Sequence, residues 1–207
     1  KAMLDSNKYK KLIEFAKKQK INFFTSIMNI SDAKMVLKFQ NNLIKIPSTE
    51  NTNYALLKFC NKKFKKIIVS TGTATFKEIK KIGKIINKKK LVILHCTSSY
   101  PCLATDVNLP KIKLLKKYFK KVGFSDHSFG IEASVLGLSY NLEYVEKHFT
   151  INRKLPGRDN KFAILPSDLK NLKRFINFSK EANKFRGMNF LKSEKDVRNI
   201  YRGRWSV

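Results

Sequence analysis

The sequence has few cysteines and contains no long apolar run. Its three cysteines, Cys60, Cys96 and Cys102, are scattered along the chain without a CxxC spacing. This pattern indicates buried thiols in a reducing compartment rather than disulfides. No apolar run reaches the roughly 18 residues that a membrane-spanning helix requires, and no secretory leader precedes Lys1. We therefore predict a soluble, cytoplasmic protein.

Acidic residues are also scarce, since 15 of them face 44 lysines and arginines and leave a net charge of +29. Such a charge attracts polyanions. However, arginine, which recognition of bases and phosphates favours, supplies only seven of the 44 basic residues. The lysines lie in stretches such as residues 77–90, KEIKKIGKIINKKK, which are typical of an amphipathic helix with a solvated face. We predict no specific nucleic-acid binding and keep a basic nucleic-acid-binding module as an alternative.

The chain has 207 residues, of which 43% are hydrophobic, enough for one domain with a sizeable core. Short apolar segments with strand character alternate with amphipathic helical segments, two of which have Ser31 and Thr75 as predicted N-caps. This alternation predicts an α/β fold with a parallel sheet covered by helices. The predicted strands are residues 21–26, 43–46, 66–70, 91–96, 122–125 and 144–148.

Two architectures fit this pattern, an open doubly wound sheet and the eight-stranded (β/α)8 barrel. An open sheet concentrates its ligand groups at one switch point, whereas a barrel brings every strand end to one axis. The sequence has no GxGxxG, and polar residues follow every predicted strand. This distribution favours a partial TIM barrel that lacks two strands. The polar residues are Ser26, Lys45, Ser48, Ser70, Thr71, Thr97, Ser98, Ser125, His127 and His148.

Two of the chain's three histidines belong to one strand–helix–strand unit, residues 122–150. A unit of this length makes parallel neighbours, so both strand carboxyl ends open on the same rim. His127 follows the first strand and His148 ends the second, beside Asp126 and Glu146. The arrangement predicts a metal site. The alternative is a pair of structural histidines whose ring nitrogens are hydrogen-bonded within the protein.

Six motifs follow one another at fitting intervals over residues 21–174: KIPSTENTNYALL, IIVSTGTAT, LHCTSSYP with DVNL, GFSDHS, EKHFT and LPGRDN. Together they resemble the N-acetylneuraminate (sialic acid) synthase family, including its legionaminate and pseudaminate synthases. The resemblance implies a barrel, here its strands three to eight, that condenses phosphoenolpyruvate with an N-acetylated amino-sugar such as N-acetylmannosamine and releases phosphate for surface polysaccharide synthesis. It also implies a divalent metal, usually manganese with magnesium as the alternative, and a homodimer at full length.

By the same resemblance, His127 and His148 match the metal ligands, Lys45 neutralises phosphoenolpyruvate, and Glu50 is the acid–base carboxylate. Further residues match substrate contacts: Ser48, Ser70 and Ser125 hold phosphate or carboxylate, Ser26 contacts phosphoenolpyruvate, and Tyr100 and Asp159 contact the sugar. Two serines depart from the family pattern: Ser26 stands where the family generally has threonine, and Ser98 stands where some relatives have asparagine. We interpret His95 as structural. The substrate contacts are Ser26, Ser48, Ser70, Ser98, Tyr100, Ser125 and Asp159.

The sequence predicts a partial barrel domain over residues 1–186 and a carboxy-terminal tail over residues 187–207. Relatives carry a glutamate on strand one, a lysine on strand two and, in many cases, a carboxy-terminal antifreeze-like domain, all of which are absent from this sequence. We therefore expect low activity from the chain alone. The alternative is an inactive or split-gene fragment that acts only with a separate amino-terminal piece.

Overall fold

A computed structural model describes residues 5–206, and within them the chain forms one parallel sheet of five strands in sequence order. The pairing is in regular register, as where Ile44 pairs with Ile67 and His95 pairs with Phe124. Helices separate consecutive strands, as a parallel sheet requires. The strands are β1 (Leu43–Ile46), β2 (Lys66–Ser70), β3 (Leu91–Cys96), β4 (Val122–Asp126) and β5 (Val145–Lys147).

The sheet is strongly curled. Lys45 on β1 and Glu146 on β5 form an ion pair although three strands lie between them. In a flat sheet with strands about 4.8 Å apart, the first and fifth strands would be about 19 Å apart. The structure is thus a half-barrel, which confirms the α/β barrel class.

The helices begin and end largely as the patterns predict. Thr75 caps the helix Phe76–Ile85 in a capping box with Glu78, as expected. The prediction for the helix Ile30–Leu37 is wrong by two residues, because the side chain of Asn29, not Ser31, accepts the Asp32 N–H. The helices in residues 5–206 are α1 (Ser6–Lys18), α2 (Ile30–Leu37), α3 (Tyr54–Lys63), α4 (Phe76–Ile85), α5 (Pro110–Lys116), α6 (Glu132–Gly137), α7 (Pro166–Ala182) and α8 (Lys195–Ile200).

Alternation along the strands divides the apolar side chains between the two faces of the sheet. The convex face, which includes Ile67 and Ile93, packs against the helices in the main core. On the concave face Ile68, Val92 and Leu94 form a smaller buried cluster. Two residues further along the same face, Ile68 is followed by Ser70 and Leu94 by Cys96. The concave face is therefore apolar near the amino ends of the strands and more polar at their carboxyl ends.

The predicted strand over residues 21–26 is not formed. Only Ser26 pairs with the sheet, by an isolated bridge to Lys45. Upstream, the Phe23 carbonyl accepts a hydrogen bond from the Gln40 side chain instead of pairing with a strand. The described residues therefore contain five strands and two isolated bridges, of which the one at Ser26 stands in place of the predicted first strand.

The segment after α7 contributes little to the core. Its only α-helix within the described residues is α8, and Met188 and Trp205 are among its exposed side chains. The domain boundary at residue 186 stays a prediction. Across residues 5–206, no helix combines the length and apolar character needed to cross a bilayer.

Candidate active site

A cavity of about 260 Å³ opens at the carboxyl ends of the strands, on the concave face. Eight of the residues that the sequence predicts for the site line it; seven come from the five strands or the loops that follow them, and Ser26 lies upstream of β1. The structure therefore brings together side chains that are up to 122 positions apart in the chain. These eight are Ser26, Lys45, Ser48, Ser70, Tyr100, Ser125, His127 and His148.

The two rim histidines lie side by side, with ring centroids 5.3 Å apart. His127 donates its Nδ1–H to the Thr97 carbonyl at 2.8 Å, which leaves Nε2 with a lone pair near Ser125. The Nδ1 of His148 lies 3.6 Å from an Asp159 carboxylate oxygen. Metal-bound histidines are usually oriented in this way, with one ring nitrogen held by a carbonyl or carboxylate and the other coordinating.

The donor set fits a divalent cation. An imidazole nitrogen lies about 2 Å from a bound transition metal, so two rings 5.3 Å apart can share one ion. No group of three or more His, Cys, Asp or Glu side chains within residues 5–206 is arranged to hold a metal. Two imidazoles leave the other positions to water and substrate oxygens, which suits a hard ion such as Mn²⁺ or Mg²⁺ better than a closed zinc site.

The pKa values of the two rings are shifted in opposite directions. Burial lowers the pKa of His148, and the nearby Asp159 carboxylate only partly opposes this effect. Burial would also lower the pKa of His127, but hydrogen bonds with Cys96 and the Thr97 carbonyl outweigh it and raise that pKa. Because a metal competes with protons for these rings, binding should weaken in mild acid.

Lys45 occupies the opposite wall, where it contacts both carboxylate oxygens of Glu146. Burial would raise the pKa of Glu146, but the positive charge of Lys45 and its hydrogen bond lower it. The sequence interpretation noted Glu146 beside the histidines without giving it a role. Its two-residue spacing from His148, on the same face of β5, is the signal that could have placed it in the cavity.

Hydroxyl groups line the floor between these charges. Ser48 Oγ accepts the Gly72 N–H at 3.1 Å, and a Cβ at Gly72 would lie only 2.7 Å from that oxygen, so glycine permits the approach. Ser70 Oγ is buried and has no hydrogen-bond partner among the described residues. A buried hydroxyl without a partner is uncommon and is what an anion-binding site would leave for its ligand.

Three predicted site residues lie outside the cavity lining. Glu50 accepts a hydrogen bond from the Asn53 side chain at 3.1 Å, and Asp159 lies beyond His148 with 55% of its side chain exposed. Ser98 Oγ is 3.9 Å from the Sγ of Cys96, which lines the cavity, but Ser98 itself is not part of the lining. All three stand at the margin, and their assigned roles stay predictions.

The sequence interpretation missed three residues of the lining. Cys96, read only as a buried thiol, ends β3 on the concave face and contacts Ser48 at 3.5 Å. Pro47 and Lys147 also line the cavity, as does Asp126, which the sequence interpretation noted beside the histidines without giving it a role. The signal for Cys96 was available, because it follows Leu94 by two residues on a strand whose end was already expected to face the rim.

The third histidine, His95, lies on the other face of β3. It is 1% exposed, stacks on Phe124 with centroids 5.5 Å apart, and donates from Nε2 to the Val107 carbonyl at 2.7 Å. This hydrogen bond joins β3 to the far end of the loop that carries Tyr100. The geometry agrees with a structural histidine.

His95 gives a testable pH dependence of stability. Burial lowers its pKa below 6.5, the value for the unfolded chain, so the unfolded state binds more protons as the pH falls through that window. Stability is therefore complete above about pH 6.5 and falls below it, by about 1.4 kcal/mol per unit of lowered pKa. Thermal unfolding between about pH 7.5 and 5.5 should show this loss, and it should be smaller in His95→Gln, which keeps an N–H donor. Equal pH slopes for both proteins would contradict the assignment.

Comparison with known proteins agrees with this geometry. The NeuB family matches residues 1–186. The N,N'-diacetyllegionaminic acid synthase of Campylobacter jejuni is 36% identical over 178 residues, 83% of this chain and 53% of the relative. A pseudaminic acid synthase of the same organism is 36% identical over 75% of this chain and 47% of its own length. The chain thus spans about half the length of the curated relatives it matches.

Solved structures agree with the fold. The crystal structure of an N-acetylneuraminic acid (sialic acid) synthetase from Leptospira borgpetersenii, in complex with citrate, superimposes with a TM-score of 0.87 at 31% identity. The alignment covers 97% of this chain and 73% of that one. The half-barrel, the rim cavity and the matched residues lead to one assignment. The chain belongs to the NeuB family.

Proposed function

We propose that this chain forms the greater part of the catalytic barrel of a nonulosonic acid synthase. The reaction joins phosphoenolpyruvate to an N-acetylated amino-sugar aldehyde, and water enters while inorganic phosphate leaves. One observation carries the proposal: a lysine, two adjacent imidazoles and a row of serine hydroxyls meet in one cavity at the strand ends. This set provides an anion site beside a cation site, which the two substrates require.

The anion site would bind phosphoenolpyruvate. Lys45 supplies the positive charge, and Ser48, Ser70 and Ser125 supply hydroxyl donors around the same space. Hydrogen bonds to an ionised acceptor are about twice as strong as neutral ones, so this cradle suits a phosphate and a carboxylate. Since Lys45 is paired with Glu146 in this structure, binding would exchange that carboxylate for a ligand oxygen.

The cation site would bind the aldehyde end of the sugar. His127 and His148 would hold the ion, which we propose to be Mn²⁺ with Mg²⁺ as the alternative. Such an ion supplies Lewis-acid polarisation of the aldehyde carbonyl. The Tyr100 ring lies 4.3 Å from the His127 ring at a tilt of 41° and is half exposed, so it could cover the sugar from the mouth of the cavity.

The two carboxylates at the margin would act on the sugar and the reacting carbons. Glu50 belongs to the same short turn, Ser48–Glu50, as a proposed phosphate contact, so it stands close to the anion site. We propose it as the acid–base group. Asp159, beside His148, would contact the sugar, and Ser98, beside Cys96, would contact the bound substrates. Ser26, bridged to Lys45, would complete the phosphoenolpyruvate contacts.

Further features of the protein are proposed from the family and the sequence. At full length we propose a homodimer in the cytoplasm. We also propose that the barrel segment ends near residue 186, where the exposed tail begins. The small-molecule substrates are its partners in this proposal, with no specific role for nucleic acid.

Phosphorus NMR can test binding and turnover in one sample. The chain, phosphoenolpyruvate, N-acetylmannosamine and Mn²⁺ are expected to give saturable binding of phosphoenolpyruvate and at most slow, EDTA-sensitive phosphate release. Ser70→Ala should weaken binding, whereas Ser139→Ala, an exposed serine remote from the cavity, should not. Absence of saturable binding would contradict the proposal. Turnover comparable to that of an intact relative would contradict the expectation that the chain alone is nearly inactive.

A further inference from the structure

Two charged residues stand next to the proposed metal ligands in the chain. Asp126 is the last residue of β4 and precedes His127, and Lys147 is the last residue of β5 and precedes His148. Lys147 Nζ lies 3.1 Å from Asp126 Oδ2, and their side chains are 5% and 1% exposed. We call these two residues the strand-end ion pair.

The strand-end ion pair is saturated by protein contacts. Asp126 Oδ1 accepts from the N–H and the hydroxyl of Ser128 at 2.8 and 2.6 Å, and Oδ2 accepts from the Ser134 hydroxyl at 2.6 Å. Lys147 also donates to the Ser128 carbonyl at 2.5 Å. Although both residues line the cavity, their polar atoms are already engaged, so they are poorly suited to bind a substrate.

The backbone alone does not hold the two histidines together. β4 and β5 pair over three positions, and the last pair is Asp126 with Lys147. The histidines follow directly after that pair, where the ladder between these strands has ended. The strand-end ion pair is therefore the last direct side-chain connection between the two strands before the rings.

We propose that the strand-end ion pair sets the separation of the His127 and His148 rings and thereby makes a site for one cation. This inference rests on the proposed function, because it assigns a purpose to the histidine pair. Asp126 and Lys147 are positioning residues in this proposal, since they act through the imidazoles. The role assigned to this buried ion pair is geometric and does not require it to add stability.

The sign of the effect separates positioning from plain electrostatics. Lys147 is a cation beside a cation site, so removing its charge should strengthen metal binding if only Coulomb repulsion mattered. Removal would also release the Asp126 carboxylate as an additional ligand. Positioning predicts the opposite result, because the rings lose their fixed separation. Loss of a group that orients a metal ligand weakens affinity by about 10-fold to 100-fold.

The experiment measures Mn²⁺ affinity of the chain by the electron paramagnetic resonance signal of the unbound ion. Lys147→Met is expected to bind about 10-fold or more weakly than the wild type. The matched control is Lys66→Met, which removes the same charge from a lysine that donates to the Tyr144 hydroxyl at the opposite end of the sheet. That control should bind as the wild type does. Equal or tighter binding by a folded Lys147→Met protein would overturn the proposal.

Two additions cover the cases in which Lys147→Met does not fold or the wild type does not bind Mn²⁺: a second variant and a measurement that needs no metal. If Lys147→Met fails to fold, the double variant Asp126→Asn/Lys147→Met, which removes both charges and leaves no unpaired buried carboxylate, takes its place. The Coulomb effects of the two changes largely cancel, so positioning alone predicts weaker Mn²⁺ binding by this variant. If the wild type itself shows no saturable Mn²⁺ binding, the proposed metal site fails, and the imidazole proton resonances decide about the ion pair. The chain has only three histidines. Lys147→Met or the double variant should shift or broaden the signals of His127 and His148 more than that of His95, and unchanged signals would overturn the inference.

Discussion

Replacing His127 with alanine is expected to remove measurable Mn²⁺ binding, with a loss of at least about 100-fold in affinity. The physical reason is the small number of protein ligands, since only the His127 and His148 rings stand at bonding separation on this rim. Losing a group that merely orients a ligand already weakens binding by about 10-fold to 100-fold, and losing the ligand itself removes more. Titration of the unbound ion measures the change directly, without depending on turnover.

The control for this variant uses the third histidine. His95→Gln removes an imidazole as well but keeps a donor for the Val107 carbonyl, and it lies on the helix-facing side of β3. We expect its Mn²⁺ affinity to stay within a few-fold of the wild type. If His127→Ala and His95→Gln bind Mn²⁺ equally well, the metal is held elsewhere and the site must be reassigned.

Replacing Lys45 with methionine is expected to weaken phosphoenolpyruvate binding by about 100-fold. A charge-assisted hydrogen bond in a partly buried site contributes about 1.5–3 kcal/mol, and every 1.4 kcal/mol is a factor of ten. Lys45 is only 12% exposed, so water does not screen its charge fully. Calorimetric titration of the chain with phosphoenolpyruvate gives the affinity, with Lys66→Met as the control for the loss of one positive charge.

A double variant separates the two consequences of losing Lys45. The single change also leaves Glu146 without the lysine that lowers its pKa, and an uncompensated carboxylate would repel the ligand. Lys45→Met combined with Glu146→Gln removes that repulsion. If Lys45 contacts the ligand, the double variant stays well below wild-type affinity. Full recovery would show that Lys45 serves only to neutralise Glu146.

Much of the fold was predictable because it follows from local patterns. β2 and β3 are short apolar segments bounded by polar residues, and Thr75 with Glu78 makes a capping box that depends on four consecutive positions. Such features need no information from distant parts of the chain. The N-cap of α2 was missed because Asn29 and Ser31 are both good caps, and the fold selects between them.

The segment over residues 21–26 shows where local patterns fail. Its apolar residues have strand propensity, yet strand formation requires a partner that accepts the whole register. β1 has only four residues, and the Gln40 side chain takes the Phe23 carbonyl. This contact involves a side chain 17 positions away, which a short sequence window does not reveal.

The candidate site also has a part that local sequence patterns predict and a part that they do not. Lys45, His127 and His148 could be assigned to one rim from the sequence, because parallel strands share the direction of their carboxyl ends. Their partners could not be assigned. The contact of Lys45 with Glu146 joins residues 101 positions apart, and it exists only because the sheet curls.

The amino-acid sequence by itself determined the order of strands and helices, the rim on which the polar side chains lie and the family to which they belong. These follow from periodicity and motif spacing, which act over short stretches of chain. Only the tertiary structure decided that Glu50 lies outside the cavity, that Cys96 lines it and that Asp126 and Lys147 pair beneath the histidines. The reason is physical: curvature of the sheet sets which strand ends approach one another, and curvature is a property of the whole packed molecule.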